Sequence, residues 1–161
     1  MSATRTESVM HDKIHAGEAF DVSTTFAAVA AAASRNFIVR NGSKQLHSLF
    51  IAASGAGADL TLELYESPTI TSNGTALTPV NRRLASIKTS GASFYHTGTV
   101  SDNGTLKTIR VVPFGQPISP SVADRLEWIL SPNTNYLVIV KNVATSGNAI
   151  IGLGISFYIV G

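Results

Sequence analysis

The chain has 161 residues, no cysteine, 14 % charged residues and a formal net charge of +2. This length suits one domain with its own hydrophobic core, and the lack of cysteine excludes disulfides and thiolate metal sites. Only Arg82 and Arg83 are adjacent cations, so the basic stripe typical of nucleic-acid-binding proteins is missing. No apolar run reaches the roughly 18 residues of a membrane span. The N-terminus has no signal-peptide core, so we expect a soluble protein made in the cytoplasm.

Residues 1–19 are polar and follow neither a helical nor a strand period, which predicts an extended N-terminal arm before a single domain of residues 20–161. A disordered leader is the alternative. His11 and His15 have the i, i+4 spacing of two metal ligands on one helix face. No glutamate follows His11 and Gly17 argues against a helix, so a metal site is disfavoured. We expect the arm to contact a partner surface through the side chains of His11, Lys13, His15 and Phe20.

Residues 21–36 include the alanine-rich run Phe26–Ser34. Alanine favours helix, and the preceding hydroxyl residues Ser23 to Thr25 are suitable N-caps, so the run predicts a short helix. An alanine face has little apolar surface to bury, which leaves an extended connector as the alternative.

From Asn36 onward the apolar side chains alternate as in β-strands that end at turn-forming residues. Three leucines of Leu60–Tyr65 face one side, which is typical of a half-buried strand. In the last strand, Gly152 and Gly154 leave one face thin enough for a strand, loop or subunit to approach, and relief of strand curvature is the alternative. Strands are predicted near residues 36–41, 45–53, 60–65, 83–88, 93–97, 106–112, 125–130, 136–142 and 148–160.

These short strands, without a convincing amphipathic helix, predict an all-β fold. The expected architecture is a two-sheet antiparallel β-sandwich of the jelly-roll or Greek-key type, and a single barrel is the alternative.

A turn motif occurs twice, in Thr69–Thr75 and Thr99–Thr105. Both copies read Thr, a β-branched apolar residue, a hydroxyl residue, one variable residue and then Asn-Gly-Thr. Asn-Gly between β-prone runs predicts a type I′ hairpin turn. The residues after the two copies differ, so we expect two equivalent hairpin ends rather than repeated modules. If both ends point the same way, they form one rim of the sandwich. The predicted loop tips are Asn73, Gly74, Asn103 and Gly104.

No local signature of catalysis is present, and the Gly-x-Ser-x-Gly elbow is missing. Any glycosidase would need a carboxylate pair, and any glycan platform would need exposed aromatic rings. Trp128 alternates with Leu126 and Leu130 as a core residue would. We therefore predict a non-enzymatic protein with no metal and no cofactor. The acids that a glycosidase could use are Asp59, Glu63, Glu66, Asp124 and Glu127, and the rings that a glycan platform could use are those of Tyr65, Phe94 and Tyr95.

Several short motifs follow one another in an informative order: His15–Phe20, Leu64–Thr69, the first Asn-Gly-Thr turn, Leu77–Arg82, Tyr95–Thr97, the second Asn-Gly-Thr turn and Leu130–Leu137. This order, over most of the chain, resembles the small head decoration, or cement, proteins of tailed bacteriophages. The chain departs from that pattern at Ser67, where glycine is expected before Pro68.

The resemblance implies a virion protein on the outside of the capsid, made in the host cytoplasm. It would bind the major capsid protein and reinforce contacts between neighbouring capsid subunits, as a homo-oligomer that is a trimer or a dimer. Neither nucleic acid nor a membrane is an expected partner. A tail-associated or host-glycan-binding β-sandwich is the alternative function, and a polysaccharide hydrolase is a third candidate.

Overall fold

The computed structural model describes residues 9–54, 59–112 and 127–160. Within these ranges the chain forms one short helix and thirteen strands. In chain order they are α1 (Val9–Ala16), β1 (Ala19–Ala30), β2 (Ser34–Arg40), β3 (Gln45–Ser54), β4 (Leu60–Glu66), β5 (Thr69–Ser72), β6 (Thr75–Leu77), β7 (Val80–Asn81), β8 (Ser93–His96), β9 (Thr99–Asp102), β10 (Thr105–Val112), β11 (Glu127–Leu130), β12 (Asn135–Asn142) and β13 (Asn148–Val160).

Two antiparallel sheets pack face to face, which confirms the predicted β-sandwich. Sheet A has the order β11-β3-β13-β1-β7, and sheet B has the order β10-β4-β12-β2-β8-β6. When β5 to β9 are set aside, each sheet keeps four strands, β11-β3-β13-β1 and β10-β4-β12-β2. This is the strand arrangement of a jelly roll, in which two Greek keys interlock.

The core lies between the sheets and is built by the predicted alternation. The three leucines of β4 are at most 1 % exposed, and Phe157 of β13 is fully buried. Phe157 stacks on Phe20 with ring centroids 5.5 Å apart and lies 5.1 Å from Phe94. These aromatic contacts join both sheets.

The alanine-rich run is not a helix, so the predicted helix is wrong: its first part ends strand β1 at Ala30, and Ala31 and Ala32 form the turn before β2. The first part is extended, but as part of a core strand rather than as the connector given as the alternative. Phe20, Val22, Phe26 and Val29 of β1 are all buried in the core. A bulge between Phe26 and Val29, with Ala28 at φ 51°, moves the inward positions by one residue. Burial of these four side chains outweighs the helix propensity of the alanines.

The strand predicted at residues 83–88 is also wrong. The sheet ends at β7, and Leu84 and Ile87 beyond it are 89 % and 98 % exposed. These two side chains are three positions apart, so they never had the period of two that a strand requires. The other predicted strands are present within the described ranges, although residues 125 and 126 lie outside them.

A long ribbon dominates sheet B. Residues 60–77 pair with residues 94–112 in antiparallel order, from Thr105 opposite Glu66 to Thr75 opposite His96. Between these pairs, β5 and β9 pair only with each other. The ribbon therefore begins at one edge of sheet B as β4 and β10, and returns at the other edge as β8 and β6.

Both Asn-Gly pairs lie at the junctions between the middle of this ribbon and sheet B. Gly74 and Gly104 have φ of +78° and +83°, whereas Asn73 and Asn103 do not have positive φ. The predicted type I′ turns are therefore wrong. Because β5 and β9 are antiparallel, the junctions that follow them lie at opposite ends of their ladder. The four residues are thus neither hairpin tips nor parts of one rim.

The middle of the ribbon covers the outer face of sheet B. Ile38 and Leu137 are paired neighbours on β2 and β12, point away from the core and are still 0 % exposed. A Cβ atom on Gly98 would lie 2.4 Å from Cδ1 of Ile38, which places the ribbon backbone directly over this pair. Tyr65 and Tyr95 continue the same row on the neighbouring strands and are half-buried.

Candidate contact surface

Helix α1 has one face toward the sandwich and one toward solvent. Met10, Lys13 and Ile14 are half-buried and have helical i, i+3, i+4 spacing, while His11 and His15 are exposed. The helix packs against β1 and β13. Ala19 of β1 is fully buried although it does not belong to the core cluster. The arm prediction is therefore corrected for residues 9–16, while residues 1–8 lie outside the described ranges.

Gly17 ends this helix rather than preventing it. Its φ is +70°, its amide donates to the Ile14 carbonyl at 3.0 Å, and the Glu18 amide donates to the Lys13 carbonyl at 2.8 Å. These are the two hydrogen bonds of a Schellman C-cap, in which glycine supplies the left-handed residue. Gly17 is thus a sequence signal for the end of a helix, and its interpretation as evidence against a helix is wrong.

Glu18 connects the end of the helix to a later segment of the chain. Its carboxylate accepts hydrogen bonds from the ammonium groups of Lys13 at 2.8 Å and Lys88 at 3.0 Å. The hydrogen bond from Lys13, followed by that from Lys88, lowers the pKa of Glu18 below its ordinary value. The carboxylate is therefore ionised at neutral pH and holds the two cations together.

Residues 82–88 are fixed to α1 by further hydrogen bonds. Arg83 Nη1 donates to the His15 carbonyl at 2.8 Å, and Asn81 Nδ2 donates to the Gly17 carbonyl at 2.8 Å. A Cβ atom on Gly17 would lie 2.5 Å from Oγ of Ser86. We call α1 together with residues 82–88 the α1 platform.

The α1 platform presents apolar side chains to solvent. Leu84 and Ile87 are 89 % and 98 % exposed, and Val9 at the start of the helix is 60 % exposed. A segment held by directed hydrogen bonds has a defined shape, so these side chains are displayed rather than loosely placed. Sequence reasoning missed Leu84 and Ile87 because it assigned them to a strand; their spacing of three, between Arg83 and Lys88, was the available signal.

The structure brings three of the four predicted contact residues together. His11, Lys13 and His15 all lie on α1 within the platform. Phe20 does not belong to it, because its ring is 1 % exposed and stacks on Phe157 in the core. The inclusion of Phe20 was wrong: the alternation of Phe20 with Val22 marks the inward face of β1.

A shallow trough of about 460 Å³ lies on the outer face of sheet A. Its floor is the thin face predicted for β13, with Gly152 and Gly154 opposite Thr25 and Ser23 of β1. A Cβ atom on Gly154 would lie 3.0 Å from the Val22 carbonyl oxygen. Close spacing of these two strands therefore accounts for the glycine, without a need for a partner.

A hydrogen-bonded chain of three side chains crosses sheet A beside α1. The Tyr158 hydroxyl bonds to Nδ1 of His47, and Nε2 of His47 lies 3.0 Å from a carboxylate oxygen of Glu127. Burial, and next the negative charge of Glu127, raise the pKa of Tyr158. The phenol is therefore protonated at neutral pH, which suits a hydrogen-bonded link between strands better than a nucleophile.

The acids and aromatic rings considered for carbohydrate chemistry are engaged within the sandwich. Tyr65 donates to Glu63 at 2.7 Å, and this hydrogen bond is the main cause that raises the pKa of Tyr65. Glu66 pairs with Lys107 at 2.6 Å. Trp128 is partly buried against the core, as its alternation with Leu130 predicted. Asp124 lies outside the described residues.

Among the described residues, no group of three or more His, Cys, Asp or Glu side chains is arranged to hold a metal ion. In the same ranges, the eight residues of α1 are too few to cross a bilayer, and no longer helix occurs.

Comparisons with known proteins do not assign a family. Models of known protein families give no match, and no curated protein matches. Among solved structures, the infectious bursal disease virus VP2 subviral particle aligns with 12 % identity over 89 % of this chain and 39 % of that chain. The TM-score of that alignment is 0.11, so the alignment carries no argument about fold or function.

Proposed function

We propose that the chain is a non-enzymatic virion protein that binds the outer surface of a bacteriophage capsid. It attaches to the major capsid protein, reinforces contacts between neighbouring capsid subunits and acts as a homo-oligomer. The α1 platform is the surface through which it attaches. The resemblance of the ordered sequence motifs to head decoration proteins supplies the class of partner.

The exposure of Leu84 and Ile87 is the observation that carries this proposal. Isolated exposed aliphatic residues are common on protein surfaces. Here two of them project almost completely from a segment that the Arg83 side chain ties to the His15 carbonyl of α1 and that the Arg82 amide ties to Ala19 of β1. Two motifs of the resemblance, His15–Phe20 and Leu77–Arg82, also border the platform.

The surrounding charges are nearly balanced, which favours a protein partner. Lys13 and Lys88 share Glu18, and Arg82 lies 3.6 Å from Asp21. A nucleic acid would require a surplus of unpaired cations. Burial of apolar area within a polar rim is the usual composition of a protein interface. Modest affinity at each site suffices when many sites on a capsid lattice act together.

The proposal is tested with heads that lack the protein. The full chain and the double variant Leu84→Thr and Ile87→Thr are mixed with such heads, and bound protein is measured by co-sedimentation. Full burial of one aliphatic side chain contributes about 1.5–3 kcal/mol, so we expect the double variant to bind about 100-fold more weakly. Its melting temperature should remain close to that of the parent chain.

A matched control removes the same kind of side chain from the opposite sheet. Ile109→Thr and Val111→Thr change two aliphatic residues of β10 that are 53 % and 63 % exposed. This control should bind heads like the parent chain. Equal binding of the platform variant and the parent would refute the attachment surface, and failure of the parent chain to bind intact heads would refute the function.

A further inference from the structure

Helix α1 places two imidazole rings side by side on its exposed face. His11 and His15 are one turn apart, and their Nε2 atoms share a hydrogen bond of 3.0 Å, in which one nitrogen donates and the other accepts. The rings meet edge to face, with centroids 4.5 Å apart. The objection raised by Gly17 to a helical metal site does not hold, because Gly17 caps the helix after both histidines.

The separation of the two nitrogens matches the bite of one metal ion. Imidazole nitrogens bind divalent transition metals at about 2.0–2.1 Å, so two neighbouring ligands at a right angle are about 2.9 Å apart. A tetrahedral angle would instead separate them by about 3.4 Å. The hydrogen bond now holds the nitrogens near the separation of a right-angled pair, and tetragonal sites with nitrogen ligands are preferred by Cu²⁺ and Ni²⁺.

We propose that His11 and His15 form a bidentate site for a divalent transition-metal ion of this class. Both side chains are exposed, so rotation of the rings, together with transfer of the shared proton to Nδ1 of the ring that carries it, aims both Nε2 lone pairs at one ion. Among the described residues no third ligand joins them. The proposal is independent of capsid binding.

Metal binding at this site would stabilise the helix and, through it, the α1 platform. An isolated helix of eight residues is marginal in water, and a chelate across one turn fixes the backbone between its two ligands. The carbonyl of His15 also accepts the hydrogen bond from Arg83. An ion bound to His15 therefore restrains the residue to which residues 82–88 are attached.

The test is a calorimetric titration of the full, untagged chain with Ni²⁺ in a buffer that does not bind metals. We expect one ion per chain, and His11→Ala or His15→Ala should each weaken binding about tenfold or more, because loss of either ring removes the chelate. His96→Ala is the matched control, since it removes a histidine from sheet B, and it should leave binding unchanged.

Hydrogen exchange gives a second readout. Ni²⁺ should slow exchange of the amides of residues 13–16 in the parent chain and not in His15→Ala. Unchanged affinity in both single variants, an equal loss in His96→Ala, or no protection of α1 would each overturn the proposal.

Discussion

The two sheets each carry an added layer on the outside, and the layers treat apolar side chains in opposite ways. On the outer face of sheet B, Ile38 and Leu137 are completely buried, and the ribbon backbone at Gly98 lies against Ile38. Beside sheet A, the α1 platform leaves Leu84 and Ile87 almost fully exposed. Both layers are held by directed hydrogen bonds, so order alone does not distinguish them. The first layer therefore completes the fold, whereas the second leaves apolar surface in solvent, and this exposed surface is the part to which we assign the proposed contact.

The largest expected difference between the two layers is the loss of stability when one leucine in each is replaced. Leu137→Ala should lower the free energy of unfolding by about 2–5 kcal/mol, because it leaves a cavity beneath the ribbon. Leu84→Ala should change it by no more than about 0.5 kcal/mol, as for other surface substitutions. Urea denaturation of both variants measures this difference. Similar losses would mean that Leu84 also supports the fold.

A smaller effect is expected at the two ribbon junctions. A Cβ atom on Gly74 would lie 2.3 Å from the His96 carbonyl oxygen, and one on Gly104 would lie 2.3 Å from that of Glu66. Alanine at either position should cost about 1–3 kcal/mol, from positive φ and from backbone crowding. Thermal unfolding should show comparable losses for both variants.

Gly147→Ala separates the two causes in this junction test. Gly147 has φ +84° but no atom within 4 Å of the added Cβ, so only the conformational cost applies. Its loss should be smaller than that of the junction variants. An equal loss would remove backbone crowding from the explanation.

The smallest effect concerns the charge pair that joins α1 to residues 82–88. Because the pKa of Glu18 is lowered in the folded state, its carboxylate stabilises the fold above the unfolded-state pKa. That contribution is lost as pH falls through the folded pKa. Glu18→Gln should therefore lower stability at pH 7 by at most about 1 kcal/mol. The gap between the melting temperatures of the two proteins should close as pH falls through the lowered pKa of Glu18, and a constant gap would contradict the charge effect.

Local sequence patterns predicted the strands in which apolar residues alternate on a buried face. The leucines of β4 and the alternation in β13 identify the correct inward faces because a period of two follows from strand geometry. The same rule failed for β1, where alanines hide the alternation and a bulge shifts it. It also failed at residues 83–88, because the rule assumes that apolar side chains are buried, and here they face solvent.

Long-range pairing was beyond these local patterns. Asn-Gly correctly predicted glycine with positive φ, but the partner of each flanking strand lies elsewhere in the ribbon. The equal order of the two motifs reflects the local two-fold relation between two antiparallel strands: Thr69 lies opposite Asp102, and Ser72 lies opposite Thr99. At the candidate site, Gly17 was interpreted from the sequence as a residue that prevents a helix, whereas in the structure it caps the C-terminal end of α1.

The route of the long ribbon has a kinetic consequence for the α1 platform. Residues 82–88 follow β7, which pairs with β1 of sheet A, and precede β8, which pairs with β2 of sheet B. Their ends are therefore fixed only once strands of both sheets are in place, and such non-local closure is slow. We therefore expect the platform to form late in folding, after strands of both sheets have paired. A newly made chain would then acquire the platform last.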